Sequence, residues 1–267
     1  MGNSKQPASV LSFCTGFGGI EQGLKKAGVN FRTIAYVECE AFVIANLVKK
    51  IETKQMDAAP IWTDVRTFPV GPFRNNVQIM VGGYPCQPFS FAGPRRGTDD
   101  ARHLWPYIAK TIEAIRPVRC FFENVEGHIT SGLRNVIADL AAMDYRTAWG
   151  IFSAAEVGAP HQRKRVFIMA DANSAPCKRR GISSRVYKAY PDANGTSELA
   201  DWPAMSGQKQ HDWEKPRVIK PGMGGATDGS SCRLDRLRLL GNGVVPATAA
   251  IAWTTLSKRL LVHNLEG

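Results

Sequence analysis

The chain has 267 residues, 44% of them hydrophobic, which is enough for one large α/β domain or a domain with a small lobe. No apolar run reaches membrane-spanning length, which argues against a membrane partner. Lys and Arg total 34 against 23 Asp and Glu, and the resulting +11 points toward a polyanion such as nucleic acid.

In chain order, the opening "MGNSKQPASV" lacks a charged-then-apolar signal pattern, so a cytoplasmic protein is expected. "SVLSFC" reads as a strand, followed by a glycine-rich turn and an amphipathic helix, "GIEQGLKKAG", with Gly28 at its end. "FRTIAYVE" is a second strand and "CEAFVIANLVKKI" a second helix. A short strand precedes "TDV", and "NNVQIMVGG" is a strand leading into "GGYPCQPFS". "LWPYIAKTIEAIRP" is a helix stopped by Pro117, "RCFFENV" a strand and "LRNVIADLAAMDY" a helix; "RTAWGIFSA" and "RVFIMA" are strands. This alternation predicts an α/β fold, a mostly parallel sheet with helices on both faces. From residue 171 to 235 the texture changes to Gly, Ser, Pro, Trp and basic residues, which reads as a small irregular lobe or a long insertion. Order returns after "GNGVVP", and "ATAAIAWTTLSKRLLV" is a closing amphipathic helix that returns to the first domain.

Six cysteines show no CxxC and no Cys/His cluster with zinc spacing, so neither disulfides nor a metal are expected. Cys14, Cys39 and Cys120 lie in apolar contexts and read as small buried residues. Gly16, Gly18 and Gly19 sit between a strand and a helix, where backbone can approach a nucleotide closely. The pattern GxGxxG is not met, because Glu21 holds the third position. Glu38, about 20 residues on, can accept hydrogen bonds from ribose hydroxyls. Asp64 can accept from an adenine amino group. These strand-end groups suit either a nicotinamide dinucleotide or S-adenosylmethionine.

Cys86 favours the second. Pro85 and Pro88 stiffen the chain around it, and Gly82 and Gly83 allow a sharp turn after the strand. Such a segment presents a nucleophile at the carboxyl edge of a sheet. Glu123 ends a hydrophobic strand, where a tight pocket can raise its pKa and make it an acid. His161, Arg163 and Arg165 alternate, so in an extended segment they share one face suited to gripping phosphate or carboxylate.

Taken in order, "TGFGG", "YVE", "TDV", "GGYPCQPFS", "ENVEG", "HQRKR" and "GNGVVP" resemble the motifs of the DNA cytosine-5 methyltransferase family. The resemblance implies a Rossmann-like S-adenosylmethionine-dependent fold. Residues 1–170 would form the catalytic and cofactor-binding domain, 171–235 a small target-recognition region, and 236–267 a segment returning to the catalytic domain. Cys86 would add to C6 of a cytosine flipped out of double-stranded DNA. Glu123 would contact N3 and the amino group, with Arg163 and Arg165 near the target base and phosphate. Gly16, Phe17, Gly18, Gly19, Glu38, Asp64, Val65, Pro85, Leu104, Asn242 and Val244 would hold the cofactor. Gln87 and Ser90 flank the nucleophile toward DNA, and Arg95 and Arg96 resemble a loop that closes over it. Arg179, Arg180 and Arg185 would reach phosphates or base edges. Cys14 and Cys39 occupy positions where the family often has aromatic residues, and His161 one where glutamine is common. A monomer is expected, with a cognate restriction endonuclease as a partner the resemblance allows. The same chemistry on transfer RNA, a non-catalytic DNA-binding relative and a nicotinamide oxidoreductase are the competing readings.

Overall fold

A computed structural model describes residues 6–85, 104–173 and 242–262. Seven strands form one sheet: β1 (Ala8–Phe13), β2 (Phe31–Val37), β3 (Ile61–Trp62), β4 (Ile79–Gly82), β5 (Arg119–Val125), β6 (Tyr145–Phe152) and β7 (Arg165–Ala172). Their spatial order is β3-β2-β1-β4-β5-β7-β6. The first five pair in parallel, whereas β7 runs antiparallel to both β5 and β6. The expected mostly parallel sheet is therefore present, with one reversed strand inserted beside its edge.

The strands are apolar on both faces because both faces are covered. One face of β1, β4, β5 and β7 packs Leu11, Met80, Phe122 and Ile168 against α3 (Trp105–Ile115) and α5 (Leu133–Ala142). The opposite face packs Val10, Val81, Phe121 and Phe167 against α1 (Gly19–Lys26) and α6 (Pro246–Val262). Beside α1 on this second face, α2 (Ala41–Glu52) buries Leu47 against Tyr36 of β2. The two helical layers follow from period-2 alternation in every strand.

Local signals stop the helices where the sequence predicts. Gly28, at φ 75, follows α1, and the Gly28 and Val29 amides return to the Lys25 and Leu24 carbonyls. In α3, Pro106 lies in the first turn, and Arg116 takes a left-handed conformation before Pro117. A single-turn helix, α4 (His128–Ser131), was not expected from the sequence. The β7 strand starts only at Arg165, and Arg163 has φ 36. The expected extended face shared by His161, Arg163 and Arg165 is therefore absent, because the chain bends before it enters the sheet.

The closing helix α6 packs against α1 and the sheet. Gly23 of α1 explains how closely it docks: a Cβ there would lie 2.6 Å from the Ala249 Cβ and 2.9 Å from the Pro246 carbonyl oxygen. Close helix packing thus falls at Gly23, two residues beyond the Glu21 that departs from the glycine pattern. Among the described residues, no helix is long and apolar enough to cross a membrane.

Candidate active site

The carboxyl ends of the parallel strands converge on one edge, and the sequence-predicted groups that are described gather there in two clusters. The first surrounds the turn after β1. Glu38, directly after β2, is buried, and its Oε2 accepts the Gly16 amide at 2.9 Å. Its Oε1 accepts the Cys39 and Glu40 amides at 2.9 and 3.1 Å. Parallel register brings this about, because Phe13 pairs with Val37 and so sets the two strand exits side by side. Gly16 and Gly18 take φ 58 and 82, a region that L-residues with side chains rarely adopt. Phe17 is held from below: the Lys50 ammonium of α2 lies 5.0 Å from its ring centroid and donates to its carbonyl. Glu21, in the first turn of α1, is buried beneath this turn, and burial pushes its carboxyl up.

Gly19 does a different job. A Cβ at this position would lie 2.3 Å from the Val244 carbonyl oxygen, so glycine lets the returning segment lie against the turn. Val244 is buried and Asn242 exposed in that segment. Asp64 begins a short 3-10 turn and forks the Arg66 guanidinium, with Nε and Nη2 each 2.9 Å from a carboxylate oxygen. That neighbour holds the Asp64 carboxyl below the ordinary carboxylate range. Val65 points into the core, and Leu104 packs at the start of α3. Cys39 is exposed and Cys14 half-buried, correcting the expectation that both are buried; Cys120 is buried as expected. Cys39 is exposed because it follows the strand end, at the mouth of the cluster.

The second cluster lies at the ends of β4, β5 and β7. Alternation sends Glu123 to the Val244 side of the sheet and Asn124 to the opposite side. A Cβ on Gly83 would lie 3.2 Å from Glu123 Oε2 and 3.9 Å from Val244 Cγ2, so glycine makes room for the carboxyl. Arg165 sits diagonally across the β5–β7 ladder, and its Nε forms an ion pair with Glu123 Oε1 at 2.9 Å. Burial pushes the Glu123 carboxyl up to about 7, against the lowering effect of Arg165 and then Arg163. The Arg163 Nη2 donates to the Gly243 carbonyl, tying this cluster to the returning segment.

Pro85 is exposed at the end of the strand β4 exit. Cys86, Gln87, Ser90, Arg95, Arg96, Arg179, Arg180 and Arg185 lie outside the described residues. Nearly all of the 171–235 region does too. Sequence reasoning gave no role to Arg66, Lys50, Tyr84 or His128. The available signals were that Tyr84 lies inside "GGYPCQPFS" and that His128 directly follows "ENVEG".

The residues of the first cluster fit S-adenosylmethionine. A buried carboxylate at the β2 end can still accept from a ribose diol, since each oxygen carries more than one lone pair. The positive-φ glycines bring backbone close to the same space.

The family model described as C-5 cytosine-specific DNA methylase matches residues 8–217. The Type II methyltransferase M.NaeI of Lentzea aerocolonigenes is 30% identical over 213 residues, covering 75% of this chain and 51% of that protein. M.AplI of Arthrospira platensis is 32% identical over 165 residues, covering 60% of this chain and 45% of that protein. M.NgoMIV of Neisseria gonorrhoeae is 31% identical, covering 61% of this chain and 51% of that protein. The chain thus spans about half the length of these curated relatives. Among solved structures, a DNMT2 mutant from Spodoptera frugiperda aligns with TM-score 0.53 and 24% identity, covering 65% of this chain and 53% of that one. The S. pombe Dnmt2 methyltransferase aligns with TM-score 0.53 and 20% identity, covering 62% and 51%. These two likenesses concern the fold.

Proposed function

The chain belongs to the C-5 cytosine-specific DNA methylase family, and on that premise we propose that it methylates C5 of a flipped cytosine in double-stranded DNA. The observation that carries this reading is Glu123: a buried carboxyl poised near neutrality, paired with Arg165, beside the segment that leads into Cys86. C5 of cytosine is a poor nucleophile. In the proposed reaction the Cys86 thiolate forms a bond to C6 while Glu123 gives its proton to N3, and the C5–C6 π electrons become an enamine. S-adenosylmethionine, when bound, supplies the electrophilic methyl group that C5 then accepts. A base takes the C5 proton, the C–H electron pair re-forms the C5–C6 double bond, the sulfur leaves as thiolate, and N3 returns its proton to Glu123. Arg165 keeps Glu123 oriented and limits how far its pKa climbs.

The first cluster is the proposed cofactor site. Glu38 would face the ribose hydroxyls and Asp64 the adenine amino group, which requires Asp64 to share or release Arg66. Gly16, Phe17, Gly18 and Gly19 would line the methionine side, with Val65, Pro85, Leu104, Asn242 and Val244 completing the walls. Gln87, Ser90, Arg95, Arg96, Arg179, Arg180 and Arg185 are proposed DNA contacts. We further propose a cytoplasmic monomer; the Type II designation of its relatives supports a separate cognate restriction endonuclease.

The test is covalent trapping on duplex DNA in which cytosine is replaced by 5-fluorocytosine. Fluorine at C5 blocks proton loss, so the unaltered protein is expected to stay bonded through sulfur, and Cys86→Ser is expected to form no adduct. Binding of DNA without any adduct would favour a non-catalytic relative. Methyl incorporation into transfer RNA but not duplex DNA would favour the RNA reading. Titration with a nicotinamide dinucleotide in place of S-adenosylmethionine tests the remaining one.

A further inference from the structure

Tyr84 stands two residues before Cys86, and it is held on three sides. The Asn124 amide donates from Nδ2 to the Tyr84 carbonyl at 3.0 Å. The Tyr84 hydroxyl meets His128 Nε2 at 3.0 Å. Its ring packs against Trp105 and Phe122, with centroids 5.5 and 5.9 Å apart. Trp105 is itself anchored, its Nε1 donating to Asp139 Oδ2 at 2.7 Å. Both Tyr84 and His128 are 3% exposed, so the hydroxyl–imidazole contact is made out of water.

A buried polar pair of this kind adds direction more than stability. Each partner loses its hydration on burial, and the bond restores about what was lost. An apolar pair would fill the same space. What a hydrogen bond adds is a fixed angle and distance. Here that geometry runs from α4, just beyond the β5 end that carries Glu123, back to the segment that carries Cys86. Gly132 makes room for the imidazole: a Cβ there would lie 2.7 Å from His128 Cε1. Burial pushes the His128 pKa down to about 4, so the imidazole stays neutral at ordinary pH and one ring nitrogen can accept.

We propose that His128 is a positioning residue for the nucleophile: through the Tyr84 hydroxyl it sets where Pro85 and Cys86 leave the end of β4 relative to Glu123. Alternation makes this coupling mechanical. Glu123 points to one side of β5, and Asn124 points to the other side, where it grips Tyr84. One strand end therefore locates the proposed acid and, through Asn124, the Tyr84 backbone two residues before the proposed nucleophile. This inference rests on the methyltransferase reading, which supplies the role of Cys86.

The test uses the full chain and two readouts. The first is the rate of adduct formation on 5-fluorocytosine duplex at saturating DNA and S-adenosylmethionine. Tyr84→Phe and His128→Leu are each expected to slow it by about tenfold to a hundredfold, since a displacement near 1 Å costs on that scale. Dissociation constants for DNA and cofactor are expected to stay within about twofold, a change of under 0.5 kcal/mol in binding. Because contact is through Nε2, His128→Gln, whose terminal amide reaches the same place and can turn its oxygen to accept from the Tyr84 hydroxyl or its nitrogen to donate to it, is expected to retain the rate, and His128→Asn to lose it. The double variant is expected to be no slower than the slower single variant.

The second readout is alkylation of Cys86 by iodoacetamide in the protein alone, located by peptide mapping, with Cys39 as the exposed reference thiol. The ratio of the two is expected to shift in Tyr84→Phe and His128→Leu and not in His128→Gln. Should the variants melt earlier yet show the parental adduct rate per folded molecule and the parental alkylation ratio, the proposal is overturned and the pair is purely structural. If the unaltered protein forms no adduct, the methyltransferase reading fails, while the alkylation ratio still decides whether His128 positions Cys86. Should His128→Leu not fold, Tyr84→Phe and His128→Gln carry both arms.

Discussion

Two glutamates at the same edge of the sheet, Glu38 after β2 and Glu123 near the end of β5, are almost equally buried at 7% and 5% exposure. Their surroundings differ. Glu38 accepts three backbone amides and thereby shapes the turn after β1. Among the described residues no backbone amide donates to Glu123; burial pushes it up to about 7, against the lowering effect of Arg165 and then Arg163. The comparison teaches that depth does not decide what a carboxyl can do. Backbone amides make one an organiser of the turn, and burial beside two arginines makes the other able to exchange a proton near neutrality.

The largest effect is expected from Glu123→Gln. Loss of a general acid typically costs about 10²-fold to 10⁴-fold, so methyl transfer should fall by that order while S-adenosylmethionine affinity, read by calorimetry, is unchanged. The same variant tests the pH sign. The folded pKa lies above the ordinary value of 4.5, so stability from the bound proton is full below 4.5 and is lost as pH rises through about 7. That loss is on the order of 3 kcal/mol, to be read as a larger drop in denaturation midpoint between pH 5 and pH 8 in the parent than in the variant.

Next in size is Gly19→Ala, whose methyl would press on the Val244 backbone. Overpacking of this kind costs about 1–3 kcal/mol, so a thermal melt should move down by several degrees. Unchanged melting would mean that the returning segment does not lie against the turn. Glu38→Ala should give the opposite signature to Glu123→Gln. Cofactor affinity is expected to fall by about tenfold to a hundredfold, because a hydrogen bond to a charged group is worth about 1.5–3 kcal/mol, while the Cys86 alkylation rate holds. The smallest effect is expected from Arg66→Ala. Freeing the exposed Asp64 carboxylate from its fork should change cofactor affinity only severalfold, upward, as befits an exposed ion pair. A loss of affinity would show that Arg66 helps to hold the cofactor rather than competing for Asp64.

Much of the architecture was legible before any coordinates. Alternating strand and helix patterns located β1, β2, α1, α2, α3, β5 and α6 to within a few residues, because period-2 and period-3.6 burial leave their mark on every residue of an element. Motif order also placed Glu38, Asp64 and Glu123 at strand ends. Not legible were the reversal of β7, the bend at Arg163, the exposure of Cys39, and the fork between Asp64 and Arg66. Each depends on a neighbour that arrives from elsewhere in the chain or on a backbone angle that no residue type dictates.

By itself, then, the sequence determined which strands exist, which residues end them and which chemistry those residues are able to perform. Tertiary structure alone decided how Glu38 and Glu123 differ, that Gly19 serves the Val244 backbone, and that Tyr84 meets His128 across 44 residues. The physical reason is that periodicity and motif are local properties of a chain. A pKa, a steric fit or a buried hydrogen bond belongs to an environment, and that environment exists only once distant segments have packed.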